Sequence, residues 1–223
     1  GNLYKIEGHN AQLPKNNQGQ TAVADRADHT AFKNVLYGAT DPDEQWWRDN
    51  VELEKYYSYR AVVEGIHHGD IAYGKNYFYY VDPETNLWSM LPWDLDLTWA
   101  NNMYGNGEDA FRNQGAILST PALDIEFENR LREINDLLYN PDQMGMLLDE
   151  LARVVNDPAG GLSIVDADRA MWDYNPIMGS SLVNAGKSGY GRFYGNSATD
   201  DFEGMVQLMK DYVVSNNRSF ATD

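Results

Sequence analysis

Residues 76–93 constrain the fold more than any other stretch of this chain. The run Asn76-Tyr77-Phe78-Tyr79-Tyr80-Val81-Asp82 and the apolar run 87–93 are rich in aromatic and branched side chains, and Pro83-Glu84-Thr85-Asn86 between them is turn chemistry. The pattern predicts a β-hairpin. Because a hairpin brings its outer ends together, Asn76 is placed beside Trp93 and Asp94. Asp70, in the Gly-flanked loop that follows His67-His68-Gly69, precedes the first strand, and Asp94-Leu95-Asp96 follows the second.

Those four oxygen-bearing side chains, Asp70, Asn76, Asp94 and Asp96, are the candidate site. Magnesium prefers hard oxygen ligands from one or two carboxylates, with substrate phosphates and water completing the shell. In an extended strand Asp94 and Asp96 would share one face, where two carboxylates repel unless a cation or proton lies between them. A carboxylate beside an amide on one loop can accept a substrate proton while the amide oxygen binds metal. Plainer readings stand beside these. Asp70 can cap a turn, Asn76 can bond to backbone at the strand start, and Asp94-Leu95-Asp96 can be a solvated turn or a structural calcium loop.

Adjacent histidines on a helix point about 100° apart, so His67 and His68 suit a structural or loop-orienting role better than zinc. The clustered aromatics Trp46, Trp47, Tyr56, Tyr57, Tyr59 and Tyr77 to Tyr80 fit core positions better than a stacking platform for a purine or sugar. Gly186-Lys187-Ser188-Gly189 lacks the earlier glycine and the preceding strand of a phosphate loop. No Gly-x-Ser-x-Gly elbow supports serine hydrolysis.

Around the hairpin the pattern is helical. Apolar spacing from Pro42 to Ile66 predicts a helix, with Asp41-Pro42 as its cap and first turn and Gly65 and Gly69 loosening its end. Thr120-Pro121 opens an amphipathic helix with Leu123, Phe127, Leu131, Ile134 and Leu138 on one face. A second follows Asn140-Pro141, and shorter patterns predict helices over 165–172 and 200–216. Residues 101–119 and 175–197 read as loops, and residues 1–40 as a largely irregular amino-terminal arm with a few short elements. The predicted class is α+β, mostly α, with a central β-hairpin carrying the site.

Bulk properties narrow the partners. With 17 basic and 34 acidic side chains the formal net charge is -17, which repels polyanions and argues against nucleic acid. Zero cysteines exclude disulfides, thiolate metal sites and a cysteine nucleophile. No run approaches the ~18 apolar residues of a membrane span.

The chain resembles the CotH kinase family, the spore-coat protein H type of atypical, secreted protein-kinase-like enzymes. The resemblance rests on Gly1-Asn2-Leu3-Tyr4-Lys5, on Asp70 through Asn76-Tyr77-Phe78-Tyr79-Tyr80, and on Leu91-Pro92-Trp93-Asp94-Leu95-Asp96-Leu97-Thr98. It implies a kinase-C-lobe-like helical domain over residues 41–223, with Asp70 orienting the acceptor hydroxyl, Asp94 and Asn76 as metal ligands, and Asp96 in support. It also implies ATP as donor, magnesium or manganese as the ion, and Ser or Thr hydroxyls of secreted or surface proteins as acceptors; a structural calcium ion at the acidic turn is a separate expectation. The location implied is extracellular, or the cell or spore surface. In the family an amino-terminal portion with a nucleotide-binding lysine precedes the Gly-Asn-Leu-Tyr-Lys stretch, so the chain resembles the carboxy-terminal part of such a domain. Family members also resemble coat components and adhesins, which keeps a non-catalytic surface module as the second expectation.

Overall fold

The computed structural model describes residues 1–8, 10–17, 26–68, 71, 74–96, 98–99, 117–157, 161–172 and 202–220. The hairpin forms as its sequence predicts, from β3 (Tyr77–Val81) and β4 (Trp88–Pro92), with Tyr79 opposite Met90. Its turn is built locally. The Asp82 carboxylate accepts the Glu84 and Thr85 N–H groups at 2.8 and 3.2 Å, and these two bonds hold its pKa below the usual carboxylate value. Asn86 then takes a left-handed φ of 60°, which Asn tolerates better than most residues.

β1 (Asn2–Glu7) and β2 (Asn10–Asn17) extend the hairpin into a four-stranded antiparallel sheet of order β2-β1-β3-β4. This corrects the expectation of a largely irregular stretch over residues 1–40. The alternation is short but real: Tyr4 and Ile6 are buried at 0% and 1% exposure, opposite Tyr79 and Tyr77, while Lys5 faces away with Phe78. α1 (Ala27–Leu36) lies in the same stretch. Its Asp28 accepts the Tyr4 hydroxyl at 2.5 Å and the Asn2 amide at 2.8 Å, tying helix to strand.

The predicted helix over 42–66 is two helices, α2 (Glu44–Asn50) and α3 (Leu53–Gly65). Asp43, rather than Asp41-Pro42, caps the first by accepting Trp46 N–H. The break has a tertiary cause. Val51 forms a parallel bridge with Trp88, and Glu52 N–H donates to the Trp88 carbonyl at 2.9 Å. Helical geometry yields there to the sheet edge.

Two compact units are distinguished by their contacts, 1–98 with 104–134 and 99–103 with 135–223. α4 (Pro121–Leu137), whose residues 121–134 belong to the first unit, buries Leu123, Phe127, Leu131 and Ile134 as its spacing predicts, while Leu138 just beyond its end is exposed, against the expectation. Glu126 joins α4 to α2 and α3 by accepting Arg48 at 2.7 Å and Tyr57 at 3.0 Å. The Arg48 bond keeps the carboxylate ionised to lower pH, and burial with the Glu126 bond pushes the Tyr57 phenol up. The core is aromatic, as the spacing of Trp47, Tyr56, Tyr57, Tyr59, Tyr77 and Tyr79 leads one to expect. Each such side chain contributes about 1.5–3 kcal/mol by leaving water.

The second unit holds α5 (Pro141–Val155), α6 (Ile164–Trp172) and α7 (Phe202–Phe220). Asn140 caps α5 through Gln143 N–H, and Pro141 follows at the first helical position. Asp149 accepts Lys210 at 2.5 Å and Glu203 accepts Asn156 at 2.7 Å, linking α5 to α7. The 175–197 loop expected from composition lies outside the described residues. Among the described residues no helix is long and apolar enough to cross a membrane.

Candidate functional site

α3 ends at Gly65, and the chain turns out of it through His67, whose φ is 51°. That turn drives His68 inward to 0% exposure, with its N–H on the Val63 carbonyl at 2.8 Å. His68 Nε2 lies 3.1 Å from the Trp93 carbonyl oxygen. A carbonyl only accepts, so Nε2 carries the proton and donates. The same peptide is gripped from the other side, where Trp93 N–H donates to the Asn76 carbonyl at 3.0 Å. Trp93 is therefore clasped between the end of α3 and the start of β3.

Asp94 comes next, with a φ of 59°, and Asn76 has a φ of 61°. Left-handed backbone at non-glycine residues costs of order 1–3 kcal/mol and persists where the surroundings enforce it. Three such residues, His67, Asn76 and Asp94, fall at the base of one hairpin. β4 ends at Pro92, so Asp94 and Asp96 do not sit on an extended strand as the sequence led one to expect. They lie in a turn closed by Thr98, whose hydroxyl donates to the Leu95 carbonyl at 3.0 Å and which is 4% exposed. The left-handed Asp94 is the reason the extended pairing stops.

Asn76 is buried at 5% exposure, while Asp94 and Asp96 are open to solvent. The structure thus brings Asn76 and Asp94 to neighbouring positions at the hairpin base, with Asp96 two residues on. Asp70 lies outside the described residues; His68 before it and Ile71 after it are both fully buried. Among the described residues no group of three or more His, Cys, Asp or Glu forms a metal cluster. Asp94 and Asp96 are solvent-facing carboxylates, the ligand type a hard divalent ion takes.

The loop-orienting role expected of the histidine pair falls on His68. What sequence reading missed is its partner: a backbone carbonyl carries no sequence signal. It also missed Thr98 as the residue closing the acidic turn. Beside the turn Trp93 is 51% exposed and meets Phe78 edge-on at 5.3 Å, with Leu91 and Leu95 exposed on either side.

The model of the family described as CotH kinase protein matches residues 1–218. The chain belongs to the CotH family. Among the described residues the match covers the four strands and reaches into α7, so the clasp on Trp93 lies within the CotH-like domain. No curated protein matches the chain. Membership in the CotH family supports a kinase-like role in the broad sense.

Proposed function

We propose that this CotH-family chain is a metal- and ATP-dependent phosphotransferase acting on Ser or Thr hydroxyls of secreted or surface proteins. The observation that carries the reading is the double clasp on Trp93 by the buried His68 and by Asn76, which fixes Asp94 at the base of the hairpin; Asp70 follows His68 by two residues. Asp94, with Asn76 and Asp96, would hold magnesium or manganese. When bound, the ion offsets charge on the nucleotide phosphates. Asp70 orients the acceptor hydroxyl and takes its proton, so that Asp94 serves binding and Asp70 serves turnover. The helices that follow the hairpin support a C-lobe-like role, and the family resemblance supports placement outside the cell or on its surface.

Calorimetric titration of the protein with Mg-ATP, followed by transfer assays with labelled ATP, tests this division. Asp94→Ala loses metal-nucleotide binding, whereas Asp70→Ala keeps it and lowers turnover. Equal nucleotide affinity in wild type and Asp94→Ala overturns the assignment.

The exposed Trp93, Leu91 and Leu95 favour a second reading, a non-catalytic surface module with a calcium-stabilised acidic turn. Its signature is a melting temperature raised by calcium and unmoved by nucleotide.

A further inference from the structure

A cavity of about 340 Å³ opens at the turn end of the hairpin, away from Asp94, where α1, α2 and the pair of the β3–β4 ladder nearest the turn meet. Four-residue spacing builds its walls: Asp28 and Phe32 share one face of α1, Trp46 and Asn50 share one face of α2, and Asn86 and Trp88 close it from the hairpin. Its floor is a series of rings. Trp88 stacks on Phe32 with centroids 4.6 Å apart, and Phe32 stacks on Trp46 at 5.6 Å. Trp88 and Phe32 are each 5% exposed and Trp47 is fully buried, whereas Trp46 is only half-buried where it lines the cavity.

The rim is polar and held in place. The Asp28 carboxylate accepts the Tyr4 hydroxyl at 2.5 Å, the His29 N–H at 2.7 Å and the Asn2 amide at 2.8 Å, which leaves a lone pair on Oδ2. Asn50 donates Nδ2 to the Trp46 carbonyl at 2.8 Å, and its Oδ1 makes no hydrogen bond among the described residues. Asn86 is fixed by its backbone N–H on the Asp82 carbonyl at 2.8 Å, and its carboxamide makes no hydrogen bond among them either.

These groups discriminate between classes of occupant. Asp28 is the one ionisable group among the described lining residues, and three donors already answer its charge, so a cation finds no unmet anion. A phosphate would face that carboxylate with no basic side chain on the described wall. A wholly apolar ligand would strip water from two amides and a carboxylate and return no hydrogen bond. A sugar ring answers both halves of the site, because its C–H face suits an aromatic floor and its hydroxyls donate and accept at the edge.

We propose that this cavity binds a neutral pyranose unit of a glycan, its C–H face against Trp46 and its hydroxyls on Asp28 Oδ2, Asn50 Oδ1 and the Asn86 carboxamide. The volume lies at the small end of ligand sites, which suits one ring of a longer chain. The site needs neither metal nor nucleotide and stands apart from the phosphotransfer reading.

Isothermal titration of the 223-residue protein with cellotetraose, chitotetraose and mannotetraose, each without nucleotide or metal, tests the proposal. At least one of the three is expected to bind. Trp46→Ala should weaken that binding at least about tenfold, the scale of one lost aromatic contact. Asn86→Gly, which suits the left-handed φ of 60° at that position, should weaken it by about two- to tenfold through one lost hydrogen bond. Should the tryptophan variant not fold, Asn86→Gly decides alone. Asp94→Ala is expected to bind the sugar as wild type does, and loss of binding there would move the sugar to the acidic turn and overturn the assignment. No heat from any of the three at about 10 mM, or an affinity unchanged in either cavity variant, also overturns it. A protein that binds none of them and still binds Mg-ATP loses this inference and keeps the phosphotransfer reading.

Discussion

Replacing His68 by phenylalanine is the sharpest probe of how the site is held. The ring volume is nearly kept, but the proton that Nε2 places on the Trp93 carbonyl at 3.1 Å is removed. The bond is partly buried, and an acceptor left unmet there costs up to about 1–3 kcal/mol. For a chain of this size each kilocalorie moves Tm by roughly 2–4 °C, so the melting point should fall by about 2–12 °C. The stability loss alone would follow from any buried contact. The distinguishing readout is Mg-ATP affinity: with one side of the clasp open, the Trp93 peptide keeps, among the described residues, the Asn76 bond, and the left-handed turn at Asp94 is free to relax. We expect nucleotide affinity to fall in His68→Phe, and the same substitution to have no further effect in an Asp94→Ala background, because the two act in one chain of contacts. Calorimetry on the four proteins gives the cycle. A His68→Phe protein that is destabilised yet binds Mg-ATP as wild type does would refute the coupling and leave His68 a core residue only.

Two further outcomes follow from the fold. His29 is buried against Tyr4, Tyr79 and Trp88, and burial pulls its pKa from 6.5 down to about 4. The unfolded chain therefore takes up this proton first as pH falls, so stability drops by up to about 1.4 kcal/mol per pH unit between 6.5 and about 4; His29→Phe should flatten that part of a pH-dependent denaturation series, and an unchanged slope would show that other groups dominate. At the hairpin tip, Asn86→Val should cost about 1–2 kcal/mol because a branched side chain resists the left-handed conformation, whereas Asn86→Gly should stay near wild type in urea melts; equal losses in both would mean that the amide, not the backbone angle, matters.

Legibility varied with the distance over which each feature is decided. The hairpin was readable because alternation, aromatic density and turn residues all lie within 76–93, and α4 and α5 were readable from their caps and apolar spacing. β1 was not, since Tyr4 and Ile6 give only two inward positions in a polar stretch and gain their meaning from Tyr79 and Tyr77 opposite. The break between α2 and α3 escaped for the same reason, because Val51 and Glu52 leave the helix to meet Trp88. At the site, Asn76 and Asp94 were placed together by the hairpin alone, but the turn that carries Asp94 and Asp96 off the strand depends on a backbone angle that composition does not encode.

What the amino-acid order determined by itself is the set of local elements and the chemistry at their ends: two aromatic strands, capped helices, and acids flanking a ribbon. Tertiary structure alone decided that the first strand enters the sheet next to β3, that an imidazole from the end of α3 seizes the Trp93 peptide, and that Glu52 leaves the helix to meet the Trp88 carbonyl. The physical reason is that local preferences act between residues a few positions apart, while strand pairing and a buried donor meeting a carbonyl are settled only when distant segments compete for the same unmet hydrogen bonds.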